Sequence, residues 1–266
     1  MGQIVWGEMS MGELDLLKKL HDTLLEHSRK LTFDKSHLWH RNLVALYGSL
    51  IELGGCLLIL LNEGGNIGVP SIFRTFLETY VEVYNLLKDR KYGYHMQAQY
   101  NDQWLKLLKE ASKGTNPYLE AMADVPNILQ KTIEMEKELA ELKAKGYKPL
   151  QIRDRFERAG MLDEYCSMYN MLCTDTHGNI RALISRHIEI KGADFEIVFY
   201  RDEPVEEFLS YIDAACGILV HAAIGIHELL GTEVLSEVRA LENDLEMWRK
   251  KYVYDNSKGV EGKWAW

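Results

Sequence analysis

The residues from Cys166 to His187, CSMYNMLCTDTHGNIRALISRH, combine a helical apolar pattern with a cluster of polar side chains. Apolar residues recur there at spacings of three and four, the period at which side chains share one face of a helix. This pattern predicts two buried helices. The residues from Thr174 to Asn179 prefer caps and turns, so one helix should end near Cys173 and the next should begin within a few residues.

The start of the second of these helices is a candidate anion site. A helix N-terminus presents unpaired N–H groups and a partial positive charge, both of which favour a phosphate. His177, Asn179 and Arg181 would surround a phosphate bound there. In the structural alternative, Asp175 or Thr176 only caps the helix.

Composition and charge restrict the class of protein. Hydrophobic residues make up 47% and charged residues 27% of the 266 residues, as in globular proteins with a substantial core. The formal net charge of −9 argues against a surface that coats nucleic acid or an anionic membrane, but it permits a local basic site. The longest apolar run, from Leu43 to Leu61, contains Glu52, which favours a core helix over a membrane span. We therefore expect a cytoplasmic protein with no membrane partner.

The motifs that hold common metals and cofactors are missing from the sequence. The cysteines form no CxxC pair and lie in apolar helical segments, so they are predicted to be small buried residues. They are Cys56, Cys166, Cys173 and Cys216. No HExxH, GxGxxG, Walker or GxSxG pattern occurs. We expect no cofactor and no metal ion.

Most of the remaining chain is predicted to be helical. Helices are expected over about 11–31, 36–64, 70–89, 94–111, 127–145, 150–159, 204–231 and 232–252. The charged segment at about 117–160 should form an outer helical hairpin, and the polar tail at about 255–266 should be loose. After His187 the apolar period becomes two, which predicts a β-hairpin near residues 188–200. The fold class is therefore all-α, a mostly helical bundle in one domain over residues 1–266 with one small β-hairpin.

Two groups of charged residues are candidates for chemistry. Arg74 and Glu78 lie four residues apart beside a helix's apolar face, where the structural alternative is a surface ion pair worth about 0.3–0.5 kcal/mol. Arg181, Arg186 and His187 make a basic patch on an acidic chain. A histidine beside arginines can transfer a proton next to a bound phosphate, as metal-free RNA cleavage requires. Solvated charge is the structural alternative for this patch.

At these residues the chain resembles a known family. FRTFLETYVEVYNLL, from Phe73, and YNMLCTDTHGNIRAL, from Tyr169, resemble a bacterial helical family of unknown function that pairs an Arg-x-x-x-Glu helix with a later Tyr…His segment. That family is similar to the HEPN (higher eukaryotes and prokaryotes nucleotide-binding) superfamily of helical bundles. Many of its members are metal-independent ribonucleases of toxin–antitoxin or phage-defence systems.

The resemblance implies a protein that acts on RNA or a nucleotide, as a metal-independent endoribonuclease. In one version His177 is the general acid and base, and Arg74 and Arg181 bind phosphate. Glu78 and Tyr169 then orient these groups. The resemblance also implies a homodimer and an antitoxin or defence-system partner.

A second version follows the superfamily's Arg-x(4–6)-His motif, which Arg181 and His187 match. Here His187 is the acid and base, while Arg181 and Arg186 bind phosphate. Six positions along a helix correspond to about 240° of rotation, so the motif residues share a face only if the helix ends before His187.

The rival class of function is a non-catalytic helical interaction module. In that case Arg74, Glu78, Tyr169 and His177 form a buried polar network that fixes helix packing. Burial of these residues without a pocket would favour this alternative.

Overall fold

The structure, a computed structural model, describes residues 12–123, 126–176, 179–201 and 203–254. Within them it is a helical bundle with one two-stranded antiparallel sheet, which confirms the predicted fold class. The helices are α1 (Asp15–Ser28), α2 (Leu38–Asn62), α3 (Val69–Lys88), α4 (Tyr92–Ala111), α5 (Glu120–Ala123), α6 (Ile128–Ala144), α7 (Ile152–Ala159), α8 (Leu162–Glu164), α9 (Asn170–Thr176), α10 (Ile180–His187), α11 (Leu209–Leu230) and α12 (Leu235–Arg249). The strands are β1 (Ile188–Lys191) and β2 (Asp194–Ile197). His177 and the predicted loose tail at 255–266 lie outside the described residues.

Helix α3 lies at the centre of the bundle, in contact with α2, α7, α9 and α11. It begins at Val69–Pro70, because proline lacks an N–H and is tolerated in the first turn of a helix. Phe73, Phe76 and Leu77 follow at helical spacing and are fully buried. Helices α1 and α12 pack against α11 and complete the bundle.

The charged middle of the chain packs in two places. Helix α6 lies along α4, where Leu139 and Leu142 form a small apolar cluster with Ala98 and Leu105. Helix α7 instead lies on α3, and its Phe156 is fully buried in the main core. The two ends of the predicted outer hairpin therefore have different packing partners.

Residues 179–201, here called the arm, contain α10 and the β-hairpin. Ile188 pairs with Ile197 and Ile190 with Phe195, so these side chains share one face of the hairpin. Helix α10 contacts α9 and β1.

The prediction that the apolar residues of α10 are buried is wrong. Ile180, Leu183 and Ile184 are all exposed. They have helical spacing, but no other described element covers the side of α10 on which they lie. The pattern predicted the helix correctly and its burial incorrectly.

The cysteine prediction needs a similar correction. Cys216 is buried in α11, whereas Cys56 and Cys166 are exposed. Both exposed residues lie on helices that pack on one side only, so helical context alone did not determine their burial.

Two helices are long and apolar enough to cross a membrane, by length and composition alone. They are Leu38–Asn62, with a mean hydropathy of 2.1, and Val205–Leu230, with 1.7. Core helices of water-soluble proteins meet the same criteria, and these two pack against each other and α3. The location of the protein stays a prediction.

Candidate functional site

A row of polar residues runs along α3 on the side that faces α7 and α9. Arg74, Glu78 and Glu82 occur at intervals of four, so they succeed one another along one side of the helix. Asn85 and Asp89 continue the row and bond to residues of α7. The row therefore joins α3 to the segment that leads into α9.

Arg74, Glu78 and Tyr169 form a hydrogen-bonded network at one end of this row. The Tyr169 hydroxyl donates to Oε1 of Glu78 over 2.7 Å and accepts from Nη2 of Arg74 over 3.1 Å. Nε of Arg74 lies 3.1 Å from the same carboxylate oxygen, an ionic contact whose angle is not that of a hydrogen bond. Nη1 of Arg74 donates to Oγ1 of Thr176 over 3.4 Å. Every nitrogen of the guanidinium thus faces a protein partner.

Burial and hydrogen bonding shift the pKa values of Tyr169 and Arg74. Tyr169 is only 3% exposed, and the side chains of Arg74 and Glu78 are 27% and 34% exposed. Burial, followed by the hydrogen bond to Glu78, raises the pKa of Tyr169. The hydrogen bond that Arg74 donates to the Tyr169 hydroxyl raises the pKa of Arg74. Near neutral pH the phenol is therefore neutral and the guanidinium charged.

A π-helical turn, Tyr165–Tyr169, positions the tyrosine of the network. Such a turn inserts one extra residue into a helix and is frequent at functional sites. The rings of Tyr165 and Tyr169 stack with centroids 5.4 Å apart, and both lie against the ring of Phe156 on α7. Helix α7 thus supports the tyrosine while α3 provides its polar partners.

The structure brings together only some of the residues that the sequence singled out. Arg74, Glu78 and Tyr169 are in direct contact. His177 lies outside the described residues, although its neighbour Thr176 reaches Arg74. The catalytic roles assigned to these residues stay predictions.

The basic patch lies on the arm rather than in the network. Arg181 is exposed in the first turn of α10, and its side chain has no partner among the described residues. His187 closes the same helix, and its Nδ1–H donates to the carbonyl of Val198 over 3.0 Å. Because the helix continues through His187, Arg181 and His187 do not meet the condition for sharing a face.

The residue that caps α10 is neither of the two that were expected to cap it. The side chain of Asn179 accepts a hydrogen bond of 2.9 Å from the backbone N–H of Arg181. Asp175 and Thr176 belong to the last turn of α9. Asparagine at this position satisfies one of the unpaired N–H groups at the helix start, so the cap itself occupies part of the candidate anion site.

Sequence reasoning missed the next contact along the polar row. Nη1 of Arg155 donates to Oε1 of Glu82 over 2.7 Å, and Nδ2 of Asn85 donates to the backbone carbonyl of Arg155. The spacing of Glu82, four residues after Glu78, was the available signal. Nothing local to Arg155 indicated its partner, because 73 residues separate the two side chains.

An open cleft of about 250 Å³ lies beside this ion pair, lined by Glu82, Tyr92, His95 and Arg155 among others. Burial and the nearby Glu82 carboxylate raise the pKa of Tyr92. The charges of Glu82 and Arg155 cancel, so the cleft has no strong preference for an ion of either sign. Across the part of the chain that the structure describes, no group of three or more His, Cys, Asp or Glu is placed to hold a metal ion.

The fold and the network together define a helical bundle whose central helix is joined by an Arg–Glu–Tyr network to a segment about ninety residues later in the chain. The chain belongs to the family of unknown function DUF5677, whose model matches residues 40–195. That range includes the network and most of the arm. No curated protein and no solved structure matches the chain.

Proposed function

We propose that this protein is a non-catalytic helical interaction module, in which the network of Arg74, Glu78 and Tyr169 holds α9 on α3. The position of α9 in turn sets where the arm leaves the bundle. The observation that carries this proposal is the complete engagement of the Arg74 guanidinium by protein groups. Because Glu78 also neutralises its charge, Arg74 has little attraction left for a phosphate.

Protonation supports the same proposal. A general acid or base works best when its pKa lies near the working pH. The pKa values of Arg74 and Tyr169 are both raised from values that already lie at or above 10. Neither group changes charge near pH 7, so the described part of the network is suited to packing rather than to proton transfer.

The variant Tyr169→Phe tests the structural role, because it removes the bridging hydroxyl and keeps the ring. Hydrogen bonds to charged groups contribute about 1.5–3 kcal/mol, and we expect a loss near the lower end since both partners are partly exposed. Urea unfolding followed by circular dichroism measures this loss. Tyr165→Phe is the matched control, because Tyr165 stacks on Tyr169 but its hydroxyl bonds to no described residue. Equal stability of wild type and Tyr169→Phe would contradict a structural role.

A HEPN-like metal-independent endoribonuclease in a toxin or phage-defence setting is the second candidate. The exposed guanidinium of Arg181, which has no partner among the described residues, favours it, because a phosphate could approach that group freely. An antitoxin or other defence protein would be its partner. The resemblance to the HEPN superfamily supports the ribonuclease and gives no support to the interaction module.

Incubation of the purified protein with mixed cellular RNA and EDTA, followed by sequencing of the RNA ends, separates the two candidates. The interaction module leaves the RNA intact. Cleavage that is lost in His177→Ala and kept in His187→Ala would establish the first ribonuclease version and remove the module proposal. Loss only in His187→Ala would instead assign the chemistry to the motif of Arg181 and His187.

A further inference from the structure

The cleft beside the ion pair of Glu82 and Arg155 lies between α3, α4 and α7 and has both apolar and polar walls. Its volume of about 250 Å³ suits a molecule with one ring, since pockets for drug-sized ligands have volumes of about 300–1,000 Å³. Met96, Tyr100 and Leu150 supply apolar surface against which such a ring can pack. The cleft therefore has the size and the mixed lining of a small-molecule site.

Three polar side chains that line the cleft have hydrogen-bonding atoms that no described residue engages. Nδ1–H of His95 donates to the backbone carbonyl of Lys148 over 2.8 Å, and Nε2 of the neutral ring is then an acceptor. Nε and Nη1 of Arg155 donate to protein oxygens, which leaves Nη2 as a donor. The side-chain amide of Gln99 can both donate and accept. None of these atoms is enclosed by the protein, so a ligand can reach each of them.

The polar groups of the cleft are held in place before any ligand arrives. His95 is only 7% exposed and lies four residues from Gln99, so both side chains lie on the same face of α4. Arg155 is held by its bonds to Glu82 and to the backbone carbonyl of Leu150. Because binding then orders few side chains, little affinity is lost to conformational entropy.

Charge and hydrogen bonding restrict the chemistry of the ligand. Glu82 neutralises Arg155, so an ionic ligand gains little from either residue. Nε2 of His95 needs a donor on the ligand, and Nη2 of Arg155 needs an acceptor. A carboxamide has both groups side by side, whereas a carboxylate has no donor and an ammonium group has no acceptor.

We propose that this cleft binds a small uncharged carboxamide that is attached to an apolar ring. The amide N–H donates to Nε2 of His95, the amide carbonyl accepts from Nη2 of Arg155, and the ring packs on Tyr100. The site goes beyond the interaction module and does not depend on it, because none of the residues of the network on α3 and α9 lines the cleft.

A titration with benzamide, a carboxamide on an aromatic ring, tests the site by NMR. The protein is labelled at its methionine methyl groups, and the signal of Met96 in the cleft is assigned with Met96→Leu. Benzamide should shift that signal until it saturates, with a Kd on the order of 1 mM for so small a molecule. Methyl benzoate lacks the N–H donor and benzoate is charged, so each should bind about tenfold more weakly.

Three variants show which side chains recognise benzamide. His95→Asn keeps an N–H near the position of Nδ1 and removes Nε2, so it should bind benzamide and methyl benzoate equally well. Tyr100→Ala removes the ring that packs on the ligand and should weaken benzamide binding about fivefold. Tyr94→Ala is its matched control, because Tyr94 lies on the same helix, is 50% exposed against 49% for Tyr100, and does not line the cleft. This control should bind benzamide as the wild type does, and circular dichroism establishes that each variant keeps its helical content.

Any of four results would overturn the site. They are a Met96 signal that benzamide does not shift to saturation, equal affinity of the wild type for benzamide and either control compound, a preference for benzamide that persists in His95→Asn, and equal weakening by Tyr100→Ala and Tyr94→Ala. These results are independent of the tests of the module. A protein that binds benzamide but is not destabilised by Tyr169→Phe would keep the site and remove the module, and the opposite pair of results would do the reverse.

Discussion

Helices α3 and α10 have the same kind of apolar stripe and opposite environments. The apolar residues of α3, such as Phe73 and Phe76, are fully buried between neighbouring helices, whereas Ile180 and Leu183 of α10 are exposed. Their charged residues differ in the same way, because each guanidinium nitrogen of Arg74 faces a protein group and Arg181 has no described partner. Apolar periodicity therefore predicts that a helix forms, but burial depends on whether the rest of the chain supplies a surface for it.

The largest expected effect comes from truncating equivalent side chains in the two regions. Phe73→Ala should cost about 3–5 kcal/mol of the free energy of unfolding, because it leaves a cavity in the core. Phe195→Ala should cost less than about 0.5 kcal/mol, because more than half of its side chain is already exposed. Urea unfolding gives both values. Similar losses for the two variants would mean that the arm packs on its own bundle.

A smaller effect is expected from acid, through a histidine enclosed by the bundle. His227 is fully buried in α11, its Nδ1 lies 2.7 Å from Oγ1 of Thr232, and its Nε2 has no described partner. Burial, followed by repulsion from His27, lowers the pKa of His227 to about 4. As the pH falls, His227 therefore binds a proton near pH 6.5 in the unfolded chain but only near pH 4 in the folded protein.

This histidine stabilises the fold fully above about pH 6.5, and its contribution is lost as the pH falls towards 4. The loss amounts to at most about 3 kcal/mol. Urea unfolding at a series of pH values measures it. His227→Gln should flatten the dependence between pH 6.5 and 4, and an unchanged slope would show that other groups produce it.

The smallest effect concerns helix caps in the two regions. Asn179→Ala removes the cap of α10 and should cost about 1 kcal/mol, confined to the arm. Hydrogen exchange should then become about fivefold faster in the first turn of α10 while the global unfolding midpoint stays the same. Asp154→Ala is the matched change in the bundle, since Asp154 bonds the backbone N–H of Gln151 in the capping box of α7. That variant should lower the global midpoint, because α7 packs on the core.

Sequence alone determined the features that depend on neighbouring residues. The helices and the hairpin occur close to their predicted bounds, since apolar period, caps and turn residues act within a few positions. The pairing of Arg74 with Glu78 follows from a spacing of four on one helix. Tyr169 was predicted as a site residue only from the resemblance to a known family. Helical spacing cannot relate it to Arg74 and Glu78, which lie about ninety positions earlier.

Only the tertiary structure decided which of these features meet a partner. It placed the Tyr169 hydroxyl between Arg74 and Glu78, paired Arg155 with Glu82, and left the apolar side of α10 and the hairpin exposed. The local pattern of α10 resembles that of a core helix, yet no described helix covers it. Burial and long-range hydrogen bonds depend on how distant elements pack. A local sequence pattern shows only one of the two groups that make each such contact.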